Sequence, residues 1–81
     1  MSIEGVKVPE PTMGLYTVYD SLAQESGPVF EAKNDAVAMR GYRKMLGDNI
    51  NPEEYRLLKI GSINHRTQEI VPVYPSEEIL G

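Results

Sequence analysis

Apolar and polar positions change their period several times along this 81-residue chain, and each change marks an element. Residues 15–20, LYTVYD, alternate in character and are rich in β-branched and aromatic side chains. They predict a first strand, with Tyr16 and Val18 on one face and Leu15, Thr17 and Tyr19 on the other. Residues 21–28 are small and polar and end in Gly27-Pro28, a loop. Residues 29–32 read as a short extended piece, with Phe30, the one phenylalanine of the chain, expected to plug the core. The period then lengthens. Val37, Gly41 and Met45 recur every fourth residue, flanked by Ala38, Tyr42 and Leu46, which is one apolar stripe of a helix over 33–47. Asn34 is a good N-cap, Asp35 puts negative charge at the positive end of the macrodipole, and Gly47 suits the left-handed residue that ends a helix. Gly41 in mid-helix costs about 1 kcal/mol against alanine, so close packing against a sheet is expected there.

Beyond the helix, residues 48–54, DNINPEE, form a loop, because Pro52 disfavours helix at Asn51. Residues 55–62, YRLLKIGS, alternate again: Arg56, Leu58 and Ile60 on one face, Tyr55, Leu57 and Lys59 on the other. Residues 63–68 turn around Asn64-His65-Arg66, and 69–74 form a third strand in which Pro72 argues for an edge position. The sum is an α+β domain in the order β-α-β-β: a three-stranded antiparallel sheet, or four-stranded with the short extended piece, packed against a single helix. Its boundaries are expected at residues 14–74. Residues 1–13, with Gly5, Pro9 and Pro11, read as a flexible arm and residues 75–81 as a C-terminal tail. The helix-free face of the sheet, expected to carry Tyr19 and Leu57, or an open edge, invites a second copy.

Size sharpens this last point. A chain so short buries roughly 60% of its unfolded surface. With no cysteine it has neither a disulfide nor a thiolate-bound zinc to supplement the core. Apolar residues are 41% and charged residues 25% of the chain, ordinary for a folded domain. Twelve acidic residues against eight basic ones give a net charge of −4, which argues against a general nucleic-acid coat and leaves room for a local basic patch. The N-terminal residues lack the cationic and apolar regions of a signal peptide, and no apolar run approaches the ~20 residues that span a bilayer. The chain reads as soluble and intracellular, with no membrane partner.

Candidate chemistry is sparse. His65 is the single histidine, sits in a predicted turn and has no neighbouring ligand, so no metal site is expected. Ser2, Ser21, Ser26, Ser62 and Ser76 lie in no nucleophile motif, and the pairs Glu53–Glu54 and Glu77–Glu78 read as solubilising charge. No glycine-rich phosphate loop is present, so no enzyme activity, cofactor or small-molecule substrate is expected. What stands out is the helix. Arg40, Arg43 and Lys44 lie at i, i+3 and i+4 on one exposed face, with Lys33 nearby and Tyr42 beside them. Such cations contact phosphates and a tyrosine can stack on an unpaired base. The bland alternative is that basic residues in the last turns simply favour the macrodipole and Tyr42 belongs to the core.

The segments LYTVYD at 15–20, PVFEAKNDAVAMRGY at 28–42 and PEEYRLLKIGSIN at 52–64 resemble the small non-structural protein of gokushovirus-type microviruses, which are single-stranded DNA bacteriophages. The resemblance covers about residues 13–74 and makes residues 1–12 look like an extension. One departure is the turn at 64–67, where His65 and Arg66 stand in place of acidic and glycine residues. The resemblance implies a non-enzymatic accessory protein of phage genome replication in the host bacterial cytoplasm. It would aid the switch from double-stranded to single-stranded DNA synthesis and packaging by binding DNA or the replication-initiator complex. The contact residues expected from the charge pattern of the helix, and not from the resemblance, are Lys33, Arg40, Tyr42, Arg43 and Lys44. The alternative is a protein-interaction module, a homodimer or host-factor binder, without nucleic-acid contact.

Overall fold

The computed structural model describes residues 12–48 and 51–80. The expected arm at 1–13 lies outside the described residues except for Thr12 and Met13, which open the first strand. Five strands and one helix follow in the order β1 (Thr12–Asp20), β2 (Glu25–Ser26), β3 (Phe30–Ala32), α1 (Asp35–Leu46), β4 (Tyr55–Asn64) and β5 (Glu69–Glu78), with a short 3-10 turn at Pro52–Glu54 before β4. This corrects the expected α+β order β-α-β-β. Strands make up 51% of the structure, and they form one curled antiparallel sheet that carries a single helix. The sheet runs β2-β1-β4-β5, and β3 joins β1 on the same side as β2.

The extra strands have a local cause that plain alternation hides. Asp20 and Asn64 each begin a four-residue hairpin loop of the same design. In the first, Asp20 Oδ1 accepts from the amides of Leu22 and Ala23, and the Asp20 carbonyl accepts from Gln24 N–H at 2.8 Å. In the second, Asn64 Oδ1 accepts from Arg66 and Thr67, and the Asn64 carbonyl accepts from Gln68 N–H at 2.7 Å. Both glutamines sit at positive φ, 58° and 67°. The shared pattern is an Asp or Asn, three residues, then Gln-Glu, in DSLAQE and NHRTQE. The first loop turns what read as featureless polar sequence into a hairpin, so residues 25–32 run back along β1 as a broken strand. At the break, Gly27 N–H donates to the Val18 carbonyl and Thr17 Oγ1 donates to the Gly27 carbonyl.

β1 and β4 pair along their whole lengths, interrupted by one bulge at Ile60. Ile60 also stands opposite residues 73–76 of β5, where the ladder opens before closing again at Lys59↔Glu77 and Leu58↔Glu78. β5 therefore continues through residues expected to be a tail, and the Ile79 amide donates to the Leu57 carbonyl at 2.9 Å. The register places Tyr16, Val18, Leu57 and Lys59 on the helix side of the sheet and Leu15, Thr17, Tyr19 and Leu58 on the other. Leu57, expected on the uncovered face, is instead part of the core.

That core is small: Tyr16, Ala32, Ala38, Tyr42 and Leu57, with Val18, Phe30, Val37, Met39, Leu46, Tyr55 and Ile79 packed around it. Phe30 stacks on Tyr16 with ring centroids 5.9 Å apart, as a core plug would. Asn34 caps α1, its side-chain oxygen accepting from Val37 N–H at 2.9 Å. Gly47 ends it at φ 60°, ψ −154°, a conformation nearly restricted to glycine. The helix turns its Ala38–Tyr42 line inward and leaves Met45 54% exposed, so the apolar stripe is narrower than its sequence period suggests. Gly41 has no neighbour within 4 Å of where a Cβ would stand, which corrects the expected close approach. Close approaches are at Gly14, where a Cβ would lie 2.5 Å from the Tyr16 ring, and at Gly61, where one would lie 2.8 Å from the Val71 carbonyl oxygen.

These observations sort three glycine-to-alanine substitutions by sign. Gly41→Ala is expected to raise stability by about 0.5–1 kcal/mol, since open helical space leaves only the propensity gain. Gly47→Ala is expected to lower it by about 1–3 kcal/mol through backbone strain. Gly14→Ala is also expected to be destabilising, by displacing the Tyr16 ring. Urea denaturation of the three variants checks all the signs together.

Candidate functional site

Two arrangements carry the polar chemistry of this fold, and they share Asp35. The first is the junction of helix and sheet. Tyr16 is fully buried, and its hydroxyl donates to Asp35 Oδ1 at 2.6 Å. Lys59, from the strand beside β1, brings Nζ to 4.0 Å from the same carboxylate oxygen and 5.9 Å from the Tyr16 ring centroid. Asp35 thus serves the macrodipole of α1 and the anchorage of α1 to the sheet at once. Burial pushes the Tyr16 hydroxyl well above the ordinary tyrosine pKa, and the bond to Asp35, its negative charge and that of Glu77 push the same way. Tyr42 is raised too, first by burial and then by the Glu78 charge, against an opposing effect of Arg56.

The second arrangement is an open groove of about 760 Å3 along the outward side of α1. One wall is the helix, with Asp35, Ala36, Met39, Arg40, Arg43 and Lys44, and the other is Ile79 and Leu80, which follow β5. The groove exists because β5 keeps pairing to Glu78 and Ile79 then packs against the core, fixing the chain where a loose tail was expected. Met39 and Ile79 are half-buried, while Leu80 is 83% exposed. Ion pairs join Arg56 to Glu78, Lys59 to Asp35 and His65 to Glu31, while Arg40, Arg43 and Lys44 have no carboxylate partner among the described residues. Asp35, the one carboxylate in the groove, sits at its end and is already engaged by Tyr16 and Lys59. The result is an apolar floor beside three uncompensated cations.

Three of the five sequence-selected residues therefore meet in one place, and two do not. Lys33 is exposed ahead of the N-cap and does not line the groove. Tyr42 is 9% exposed and its hydroxyl donates to the Tyr55 carbonyl at 3.0 Å, so its ring fills the core and offers no face to a base. Sequence reasoning missed Met39, Ile79 and Leu80. The apolar pair Ile79-Leu80 inside an acidic tail was the available signal. His65, read as a solvated turn residue, is exposed in the β4–β5 turn and also meets the Glu31 carboxylate through Nε2, joining that turn to β3. Ser21 ties the first hairpin to the chain ahead of β4, its amide and hydroxyl both donating to the Glu54 carbonyl. Among the described residues no group of three or more His, Asp or Glu side chains converges in a way that could hold a metal ion, and no helix is long and apolar enough to cross a membrane.

The fold is thus a small curled antiparallel sheet bearing one helix, with an open groove lined by cations along that helix. The family model of the Phage ORF5 protein matches residues 13–81, and the chain belongs to that family of phage proteins. No curated protein and no solved structure matches it.

The junction makes a pH prediction. Below about pH 10 Tyr16 and Tyr42 are protonated in both folded and unfolded chains; above it the unfolded chain releases protons that the folded one keeps. The unfolded state then binds fewer protons, so stability falls as pH rises, by at most about 1.4 kcal/mol per pH unit for each tyrosine. Tyr16→Phe is expected to lose about 1–2 kcal/mol at neutral pH and to flatten the alkaline decline. Denaturation midpoints between pH 8 and 11 give both readings.

Proposed function

We propose that this phage protein binds the phosphate backbone of DNA through the groove between α1 and the residues after β5. The observation that carries the reading is charge without a partner. In a chain of net charge −4, three cations share one open groove and none is paired with a carboxylate among the described residues. Arg40 and Arg43 present forked donors that match phosphate oxygens, and Lys44 adds a point charge. Met39, Ile79 and Leu80 give the bases of an unpaired strand an apolar surface, which favours single-stranded over double-stranded DNA. Tyr42 takes no part, and Lys33 is peripheral.

Within the phage cycle this contact would serve genome replication in the host bacterial cytoplasm, aiding the change from double-stranded to single-stranded synthesis. That role rests on the resemblance to the microvirus non-structural protein. Anionic character outside the groove keeps the affinity low, so the protein acts on strands already delivered to it and is no coat.

Fluorescence anisotropy with a labelled single-stranded oligonucleotide checks the contact. Neutralising three phosphates gives a log–log salt slope of about −2 for a single strand. Arg40→Glu combined with Arg43→Glu is expected to abolish binding at low salt while leaving the circular dichroism spectrum unchanged. Absence of binding by the wild type at low salt, or equal binding by the double variant, rejects the reading.

A further inference from the structure

The face of the sheet opposite the helix is apolar across its centre and carries no helix or further strand among the described residues. The register places Met13, Leu15, Thr17 and Tyr19 of β1, Arg56, Leu58 and Ile63 of β4, and Ile70 and Glu78 of β5 on that side. Met13, Leu15, Tyr19, Leu58 and Ile63 are half-buried, yet none belongs to the core cluster, and Ile70 is 58% exposed. Thr17 is buried with its hydroxyl satisfied by the Gly27 carbonyl, so it adds no unpaired polar group. Charge is confined to the ends of this face and is paired there: Arg56 with Glu78 at 3.7 Å near one end, and Glu31 with His65 across the strands at the other. An apolar centre within an already neutralised polar rim is the anatomy of a protein–protein contact.

We infer that this face is covered by a second copy of the same chain, two sheets stacking face to face about a two-fold axis. Area and symmetry select that occupant. Four strands about 4.8 Å apart and roughly 30 Å long present on the order of 600 Å2 per copy, which reaches the low end of specific interfaces once both copies are counted. A self-complementary patch needs no unpaired charge to find an opposite, and this one has none at its centre. The need is intrinsic, because among the described residues only five apolar ones are buried, and without cysteine no disulfide supplements them. Strand addition at the open edge of β5 is the less suitable route. Pro72 and Pro75 remove two amide donors from that strand, and its ladder is broken opposite Ile60.

In the stacked arrangement the two helices lie on the outer surfaces, so the dimer presents two basic grooves facing away from each other. This geometry makes the DNA contact bivalent, which rests on the reading above; the association itself does not.

Sedimentation velocity of the full chain in DNA-free buffer separates the two claims. The expected result is a dimer at micromolar concentration, converted to monomer by Leu58→Glu plus Ile70→Glu with the helical circular dichroism signal retained. A wild type that stays monomeric at about 100 μM, a concentration far above the Kd of a specific dimer, overturns the inference. So does a double variant that remains dimeric. Because the chain has no cysteine, single replacements report the face in use even if the double variant fails to fold. Ile70→Cys is expected to give a short inter-spin distance between labelled copies and Arg43→Cys a long one. The reverse order overturns the face-to-face arrangement.

Discussion

One hydrogen bond holds the architecture in register: the Tyr16 hydroxyl donating to Asp35 Oδ1. Tyr16 comes from the central strand and Asp35 from the first turn of the helix, so this single contact sets where α1 begins relative to the sheet. Its strength follows from its surroundings. The donor is fully buried, and a carboxylate acceptor makes a stronger bond than a neutral one. Lys59 pairs with Asp35 from the other side, and Phe30 stacks on the Tyr16 ring. Gly14 leaves the space that the ring occupies. With so few apolar side chains fully buried, a directional polar contact decides the helix position that area alone would leave loose.

Fixing the helix at its N-terminal end determines what its outer face can do. Once Ala38 and Tyr42 turn inward, helical spacing sends Arg40, Arg43 and Lys44 outward together. A helix face alone is a stripe of charge and no site. The pairing of β5 through Glu78, and the seating of Ile79 on the core, raise a second wall opposite that stripe. The groove is therefore the joint product of the Tyr16 anchor and the last strand. On the other face of the sheet, half-buried aliphatic side chains lie outside the core cluster, with no second layer among the described residues.

Much of this was legible from local pattern, because local physics governs it. The helix from its Asn34 cap to its Gly47 terminator, the strands at 15–20 and 55–62, the turn at 63–68 and the common face of Arg40, Arg43 and Lys44 all appear where periodicity, caps and turn residues put them. The strand-rich class was not legible. β2 and the full reach of β5 depend on hairpin geometry and on a neighbouring ladder, and residues such as Glu25, Ser26, Pro75 and Ser76 have no strand preference of their own. Gly41 illustrates the same limit: mid-helix glycine signals close packing, yet the tight spots fell in the strands, at Gly14 against the Tyr16 ring and at Gly61 against the Val71 carbonyl.

The amino-acid sequence by itself determined the elements whose stabilising contacts lie within a few residues, and with them the membership of a phage protein family on residues 13–81. Tertiary structure alone decided the strand order, the burial of Tyr42 and Leu57, and the meeting of Ile79 and Leu80 with the basic helix face. The reason is physical. Capping, turn geometry and side-chain period are short-range and can be read one window at a time. Which face of a strand or helix is covered depends on partners brought together across the chain by ladder pairing and burial.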